Sequence, residues 1–159
     1  MKFYNYIYNT TKHYNSAKYW EYRSKVVDPE YKCCKLKKLI WLYSIKRSDA
    51  FNNASMGTHM DFGARFASKP NLPHGLYGII ISHNAIIGEN CTIFHQVTIG
   101  EGVGGAPTIG DNCYIGAGAK IIGDIKIGNN VKIGANCIIC EDIPDDTTVV
   151  MNKPRIIYH

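Results

Sequence analysis

Residues 81–100 read ISHNAIIGENCTIFHQVTIG, and residues 109–143 read IGDNCYIGAGAKIIGDIKIGNNVKIGANCIICEDI. Isoleucine recurs at every sixth position: Ile81, Ile87, Ile93 and Ile99, then, after one interruption, Ile109, Ile115, Ile121, Ile127, Ile133 and Ile139. Glycine follows directly at Gly88, Gly100, Gly110, Gly116, Gly128 and Gly134, and a small or β-branched residue stands four places after the isoleucine, as at Ala85, Cys91, Val97, Cys113, Ala119, Val131 and Cys137. A period of six does not fit a helix of about 3.6 residues per turn, and each glycine would cost such a helix ~1 kcal/mol. Short strands joined by tight corners do fit, because residues at even spacing return to the same side. Three hexads close an 18-residue triangular coil, and stacked coils pile isoleucine on isoleucine inside a solenoid. The glycines are expected to relieve corners that need positive φ.

Ten residues separate Ile99 from Ile109, four more than the repeat allows, so Glu101-Gly102-Val103-Gly104-Gly105-Ala106-Pro107 is expected to leave the prism as a loop. Loops carried on rigid scaffolds are where function concentrates. Upstream, residues 10–47 read as helical and are divided by Asp28-Pro29. Tyr14, Tyr19, Trp20 and Tyr22 precede the break; Tyr31, Leu36, Leu39, Ile40, Leu42 and Tyr43 follow it at spacings of three and four. These apolar faces are expected to cap the open end of the prism or a neighbouring subunit. The expected organisation is a mainly β chain, with a helical segment over 1–50 and a parallel β-helix over 51–159 that ends in a basic tail, Lys153-Pro154-Arg155-Ile156-Ile157.

The 159 residues make one domain's worth of chain. With 45% apolar and 19% charged residues, wholesale disorder is excluded. No apolar run reaches the ~18 residues that span a bilayer. Met1 to Thr10 lacks a basic segment leading into an apolar one, so no signal peptide and a cytoplasmic location are expected. Net charge is +5, much of it at Lys32, Lys35, Lys37, Lys38, Lys46 and Arg47. That run could touch nucleic acid or anionic lipid, but it reads first as a solvated helix face; neither nucleic-acid binding nor stable membrane insertion is expected. Of six cysteines, Cys33 and Cys34 are adjacent, and Cys137 with Cys140 forms a C-x-x-C without a second pair. Zinc and disulfides are therefore not expected, and Cys91, Cys113 and Cys137 read as inward fillers.

Three histidines stand near the repeat. His74 and His95 are 21 residues apart, about one coil, and so share a side of the prism. His83 lies 18 residues before Glu101, beneath the start of the loop. An imidazole titrates near pH 6.5 and can serve as a general base at neutral pH.

The hexads resemble those of the hexapeptide-repeat acyltransferases, whose left-handed parallel β-helix departs from the usual right-handed crossover. Ile115-Gly116-Ala117-Gly118-Ala119-Lys120-Ile121-Ile122-Gly123 is similar to a stretch of serine acetyltransferases. Leu72-Pro73-His74 with Gly78-Ile79-Ile80-Ile81, and Thr92-Ile93-Phe94-His95-Gln96-Val97-Thr98-Ile99-Gly100, are similar to those enzymes and more so to surface-polysaccharide O-acetyltransferases of serine acetyltransferase type. The resemblance covers about residues 50–157. It implies an acetyl-CoA-dependent O-acetyltransferase without a metal, His74 as catalytic base, His83 as its rival and His95 in a secondary role. An acid that orients the imidazole has no clear match; Ser68 and Asp61 are the candidates. It further implies a homotrimer with acetyl-CoA between prisms, pantetheine against Ala117, Gly118 and Ala135, and phosphates near Lys153 and Arg155.

Serine acetyltransferases carry a longer loop with an Arg-His pair that holds the amino acid's carboxylate, and Glu101 to Pro107 has neither residue. A carboxylate without such a partner loses its strongest contact. The acceptor is therefore expected to be a sugar hydroxyl of a surface polysaccharide, with serine as the alternative. Two other classes stay open: a γ-type carbonic anhydrase, which holds zinc with three histidines but uses a close His pair absent here, and a non-catalytic scaffold.

Overall fold

The computed structural model describes residues 11, 13–152 and 157. Among these residues two helices, α1 (Ser16–Val27) and α2 (Lys35–Phe51), precede a run of strands two or three residues long. The strands form three parallel sheets, one for each side of a prism. The first face stacks β1 (Ser55–Met56), β3 (Ile80–Ile81), β6 (Thr98–Gly100), β9 (Lys120–Ile122) and β12 (Ile138–Ile139). The second stacks β2 (Arg65–Phe66), β4 (Ile86–Ile87), β7 (Thr108–Ile109) and β10 (Lys126–Ile127). The third stacks β5 (Thr92–Ile93), β8 (Tyr114–Ile115), β11 (Lys132–Ile133) and β13 (Thr148–Val149).

Register follows the isoleucines. Ile81 lies on Ile99, Ile99 on Ile121 and Ile121 on Ile139; Ile87, Ile109 and Ile127 form a second column; Ile93, Ile115, Ile133 and Val149 form a third. None of the ten repeat isoleucines is more than 4% exposed. At ~1.5–3 kcal/mol for each fully buried side chain, these columns supply the main drive for folding. The buried cysteines fill the space beside them, and their thiols donate to carbonyls of the next coil, Cys91 to Gly110 at 3.2 Å and Cys113 to Gly128 at 3.1 Å.

The corners differ from expectation. Positive φ falls on asparagine, at Asn90, Asn112, Asn130 and Asn136 with φ of 54–58°, rather than on the glycines that follow isoleucine. Asparagine tolerates this conformation because its short amide bonds locally. Asn90, Asn112, Asn130 and Asp146 hydrogen-bond in sequence down one edge at 3.4, 3.3 and 2.9 Å. The glycines answer a steric demand. A Cβ on Gly88 would lie 2.6 Å from the Gly110 carbonyl, and one on Gly110 would lie 2.8 Å from that of Gly128. Coils approach there too closely for any side chain.

The surplus residues between Ile99 and Ile109 form a small closed turn, with Gly102 and Gly105 bridged and the Gly102 amide donating to the Gly105 carbonyl at 2.9 Å. Glu101 anchors its start by accepting from Ser82 and Asn84 at 3.2 and 3.1 Å. The phase is unbroken on either side, since Thr98 still pairs with Lys120.

The helices are pinned to the first coil by buried polar groups. Arg23 on α1 donates to Thr58, to the Met56 carbonyl at 3.0 Å and to the Ala64 carbonyl at 2.6 Å. Its guanidinium lies over Phe66, and burial lowers its pKa to about 10. The Tyr19 hydroxyl donates to Asp49 of α2 at 2.6 Å, and burial raises that carboxyl to about 6. The apolar face of α2 departs from expectation. Trp41 and Ile45 turn inward, while Leu36, Leu39, Ile40 and Tyr43 face solvent. Tyr22 stacks on Trp41 at 5.6 Å, so aromatic packing between the helices decides which side is covered. Among the described residues, no helix is long and apolar enough to cross a membrane.

Gly110→Ala should therefore lower stability by ~1–3 kcal/mol, because the clash is with backbone that cannot yield. Gly134→Ala, whose Cβ would meet its nearest atom at 3.2 Å, should cost less. Thermal or urea unfolding of the two variants tests the order; equal losses would contradict the steric reading.

Candidate active site

His74 sits in a turn that spans residues 73–78, between the first coil and β3. Gly75 and Gly78 adopt φ of 69° and 66°, and their amides bond to the carbonyls of Leu72 and Asn52 at 3.0 and 2.9 Å. Leu76, fully buried, plugs the turn into the core. One coil on, His95 lies at the corner between the third and first faces. The Gln96 amide donates to the Tyr77 carbonyl, and the Gly118 amide to the His95 carbonyl, each at 3.0 Å. The two corners are thus tied together by backbone, and the imidazoles meet with Nδ1 to Nδ1 at 2.6 Å. Phe94 stands edge-on to the His74 ring at 5.6 Å.

An N···N contact of that length requires one Nδ1–H and one bare Nδ1. If His74 carries the hydrogen, its Nε2 is left free as a base and His95 fixes its tautomer and orientation. Neither oxygen candidate takes that part. Asp61 pairs with Lys38 at 2.6 Å, and Ser68 accepts from the Asn90 amide on another corner. His83 is exposed on the corner shared with the Glu101–Pro107 turn, near His59 and Phe62. Within one chain, therefore, His74 and His95 come together and His83 does not join them. Among the described residues, no three His, Cys, Asp or Glu side chains converge as a metal site requires.

The dyad borders a depression of about 340 Å³ lined by Thr11, Phe51, Asn52, His74, Tyr77 and His95. Tyr77 also lines a second hollow of about 440 Å³, with Asn53, Gly78, Gln96, Gly118, Lys120 and Asn136. The two run along the same corner. Gly118 lies in the second hollow, with Ala117 half-buried and Ala135 exposed on neighbouring coils. Gly118 also has a purely structural reason to be glycine: its φ is 72°, and a Cβ would meet Asn136 Oδ1 at 2.1 Å. Lys153 and Arg155 lie outside the described residues.

Tyr77, Lys120 and the end of α2 were not legible as site residues. Adding the four surplus residues to the coil length places Gly118 on Gln96 and Asn136 on Gly118, which would have exposed the hollow. The contribution of α2 had no comparable signal.

Residues 106–141 match the bacterial transferase hexapeptide (six repeats) family. Serine acetyltransferase of Synechococcus elongatus is 41% identical over 107 residues, covering 64% of this chain and 43% of that protein. Serine acetyltransferase of Helicobacter pylori is 38% identical over 106 residues, covering 64% of this chain and 61% of that protein. The crystal structure of serine acetyltransferase isoform 3 from Entamoeba histolytica, in complex with cysteine, superposes with a TM-score of 0.65 at 33% identity, covering 76% of this chain and 43% of that one. The chain thus spans about half the length of the proteins it resembles. The repeat and the superposition define the fold as the left-handed parallel β-helix of the hexapeptide acyltransferases. Within that class the chain is serine acetyltransferase-like.

Long-range ¹H–¹⁵N NMR of histidine-labelled protein should show His74 with a hydrogen on Nδ1 and His95 with a bare Nδ1. His95→Phe should abolish the His74 signature. Two Nε2–H tautomers in the wild-type protein would contradict the pairing.

Proposed function

We propose that the chain is an acetyl-CoA-dependent O-acetyltransferase in which His74 is the general base. The His74–His95 contact carries this reading. It holds one imidazole nitrogen at the mouth of a groove and gives the other a fixed partner. Bound acetyl-CoA would supply an activated acetyl thioester. The groove suits an extended amide chain, because Gly118 in its lining lets such a chain approach the backbone, and in this reading the small residues Ala117 and Ala135 on neighbouring coils extend that approach. In this reading His74 Nε2 takes the proton of an acceptor hydroxyl as its oxygen attacks the acetyl carbonyl. The C–S bond breaks, and the proton passes to the departing thiolate. His95 keeps His74 in the tautomer that can do this, and a backbone N–H stabilises the charge on the carbonyl oxygen. Lys153 and Arg155 would meet the phosphates.

The acceptor we favour is serine, because the relatives described above carry that activity in their names. This displaces the surface-polysaccharide hydroxyl expected from the sequence. A sugar acceptor is kept as a second reading on one observation: the Glu101–Pro107 turn offers a carboxylate and no cation to an amino acid. We also propose a homotrimer with a groove at each junction. Ile80 and Ile138 on the first face, and Tyr77 on the adjoining corner, are 41%, 72% and 56% exposed and would be covered there. A cytoplasmic location belongs to the same proposal, since the reaction draws on acetyl-CoA.

Release of CoA thiol, measured with serine, nucleotide sugars and oligosaccharides in parallel, tests the reading. His74→Ala should lose ~10²–10⁴ in turnover with acetyl-CoA binding retained, whereas His83→Ala should keep most activity. Full turnover in His74→Ala, or no release with any hydroxyl acceptor, would overturn it.

A further inference from the structure

Helix α2 has two opposed apolar faces, and the fold uses one. Trp41 and Ile45 pack inward, with Lys38, Ser48 and Asp49 buried beside them. On the far side stand Leu36, Leu39, Ile40 and Tyr43, exposed by 65%, 49%, 59% and 71%. At about 3.6 residues per turn these four make one continuous stripe. Lys35 and Lys46 flank it on one side and Lys37 on the other, Arg47 lies one turn beyond Tyr43, and Lys32 precedes the helix; all five are exposed. Between Tyr31 and Ser48 the sequence has no Asp or Glu, and the next carboxylate, Asp49, is buried. Lys38, the remaining cation of the run, is committed to Asp61.

A solvated helix face, which the charge run alone suggested, would not carry four large apolar side chains in line. A second copy of the chain fits poorly, because pairing would set cation against cation. Four side chains also fall short of the ~800 Å² that each partner of a stable complex buries. An anionic bilayer satisfies both features at once. Leucine, isoleucine and tyrosine enter the boundary between headgroups and acyl chains, while lysines beside the stripe reach the lipid phosphates. We propose that α2 is an interfacial helix that docks the chain on an anionic membrane surface, its axis in the plane of the membrane and its Trp41 face still packed on α1. This assignment stands apart from the acetyltransferase reading.

Flotation of the full chain with vesicles tests it, using phosphatidylcholine alone and phosphatidylcholine with roughly one-third phosphatidylglycerol. Binding should appear with the anionic vesicles and weaken with salt. Leu39→Ser/Ile40→Ser should reduce partitioning about tenfold or more, and Lys35→Glu/Lys37→Glu should reduce it with the apolar stripe intact. The altered side chains are exposed, so the circular dichroism melt should not change; should the serine variant unfold, the charge variant decides alone. Equal binding to neutral and anionic vesicles, wild-type partitioning in the charge variant, or no flotation would overturn the assignment. So would self-association through this stripe, seen as a larger sedimenting species that the serine variant loses while vesicles stay unoccupied.

Discussion

Each coil can satisfy its backbone only through the coils above and below it, at the spacing of about 4.8 Å that parallel strands impose. Among the described residues no strand exceeds three residues, so none could persist without its neighbours. That mutual dependence explains the inventory of residue types. Isoleucine fills the interior because its branched chain packs on a copy of itself. Glycine appears where two coils leave no room, and asparagine where a corner must turn left and still bond to the next corner. The same backbone pairing links the Tyr77, Gln96, Gly118 and Asn136 corner, so the groove beside the dyad is framed by the ladder that holds the coils together.

Legibility in the sequence tracked how far each feature depends on a partner distant in the chain. The isoleucine columns were plain, because a period of six is visible in one dimension. The asparagine ladder was not, since Asn112 acquires its meaning only from Asn90 and Asn130 on adjacent coils, and positive φ was assigned to the glycines instead. His74 and His95 could be placed on one side by spacing alone. Their contact follows from the register of the first coil, in which Phe66 pairs with Ile87 and Asn71 with Thr92 at the same offset as His74 with His95, and the 73–78 turn then restores the shorter spacing at which Ile80 pairs with Thr98. The orienting group was sought among oxygen-bearing residues, whereas the group found against His74 Nδ1 is the imidazole of His95. For α2 both stripes were apolar. The stacking of Tyr22 of α1 on Trp41 shows which one is covered.

The polar anchors between helices and prism have a different character from the rest of the core. Arg23 and Asp49 are almost wholly buried, and burial moves both toward their neutral forms. Arg23 is retained because its planar donors reach two carbonyls and a hydroxyl on the first coil, which otherwise has no coil beneath it. A solenoid end exposes unpaired edge groups that invite association. Here a guanidinium from a helix meets some of them, so the cap is a specific polar fit as well as an apolar cover.

The turn from Glu101 to Pro107 bears on how such a chain can change its length. Along the faces, an added residue would rotate every later side chain out of its column, so growth there is allowed only in whole increments of a coil. At a corner, surplus residues can be extruded sideways and the count restored beyond them, as the undisturbed pairing of Thr98 with Lys120 demonstrates. The faces behave as a ratchet and the corners as its release. Variation between descendants of this architecture should accordingly gather at the three edges, where it alters the lining of the grooves and leaves the columns inside untouched.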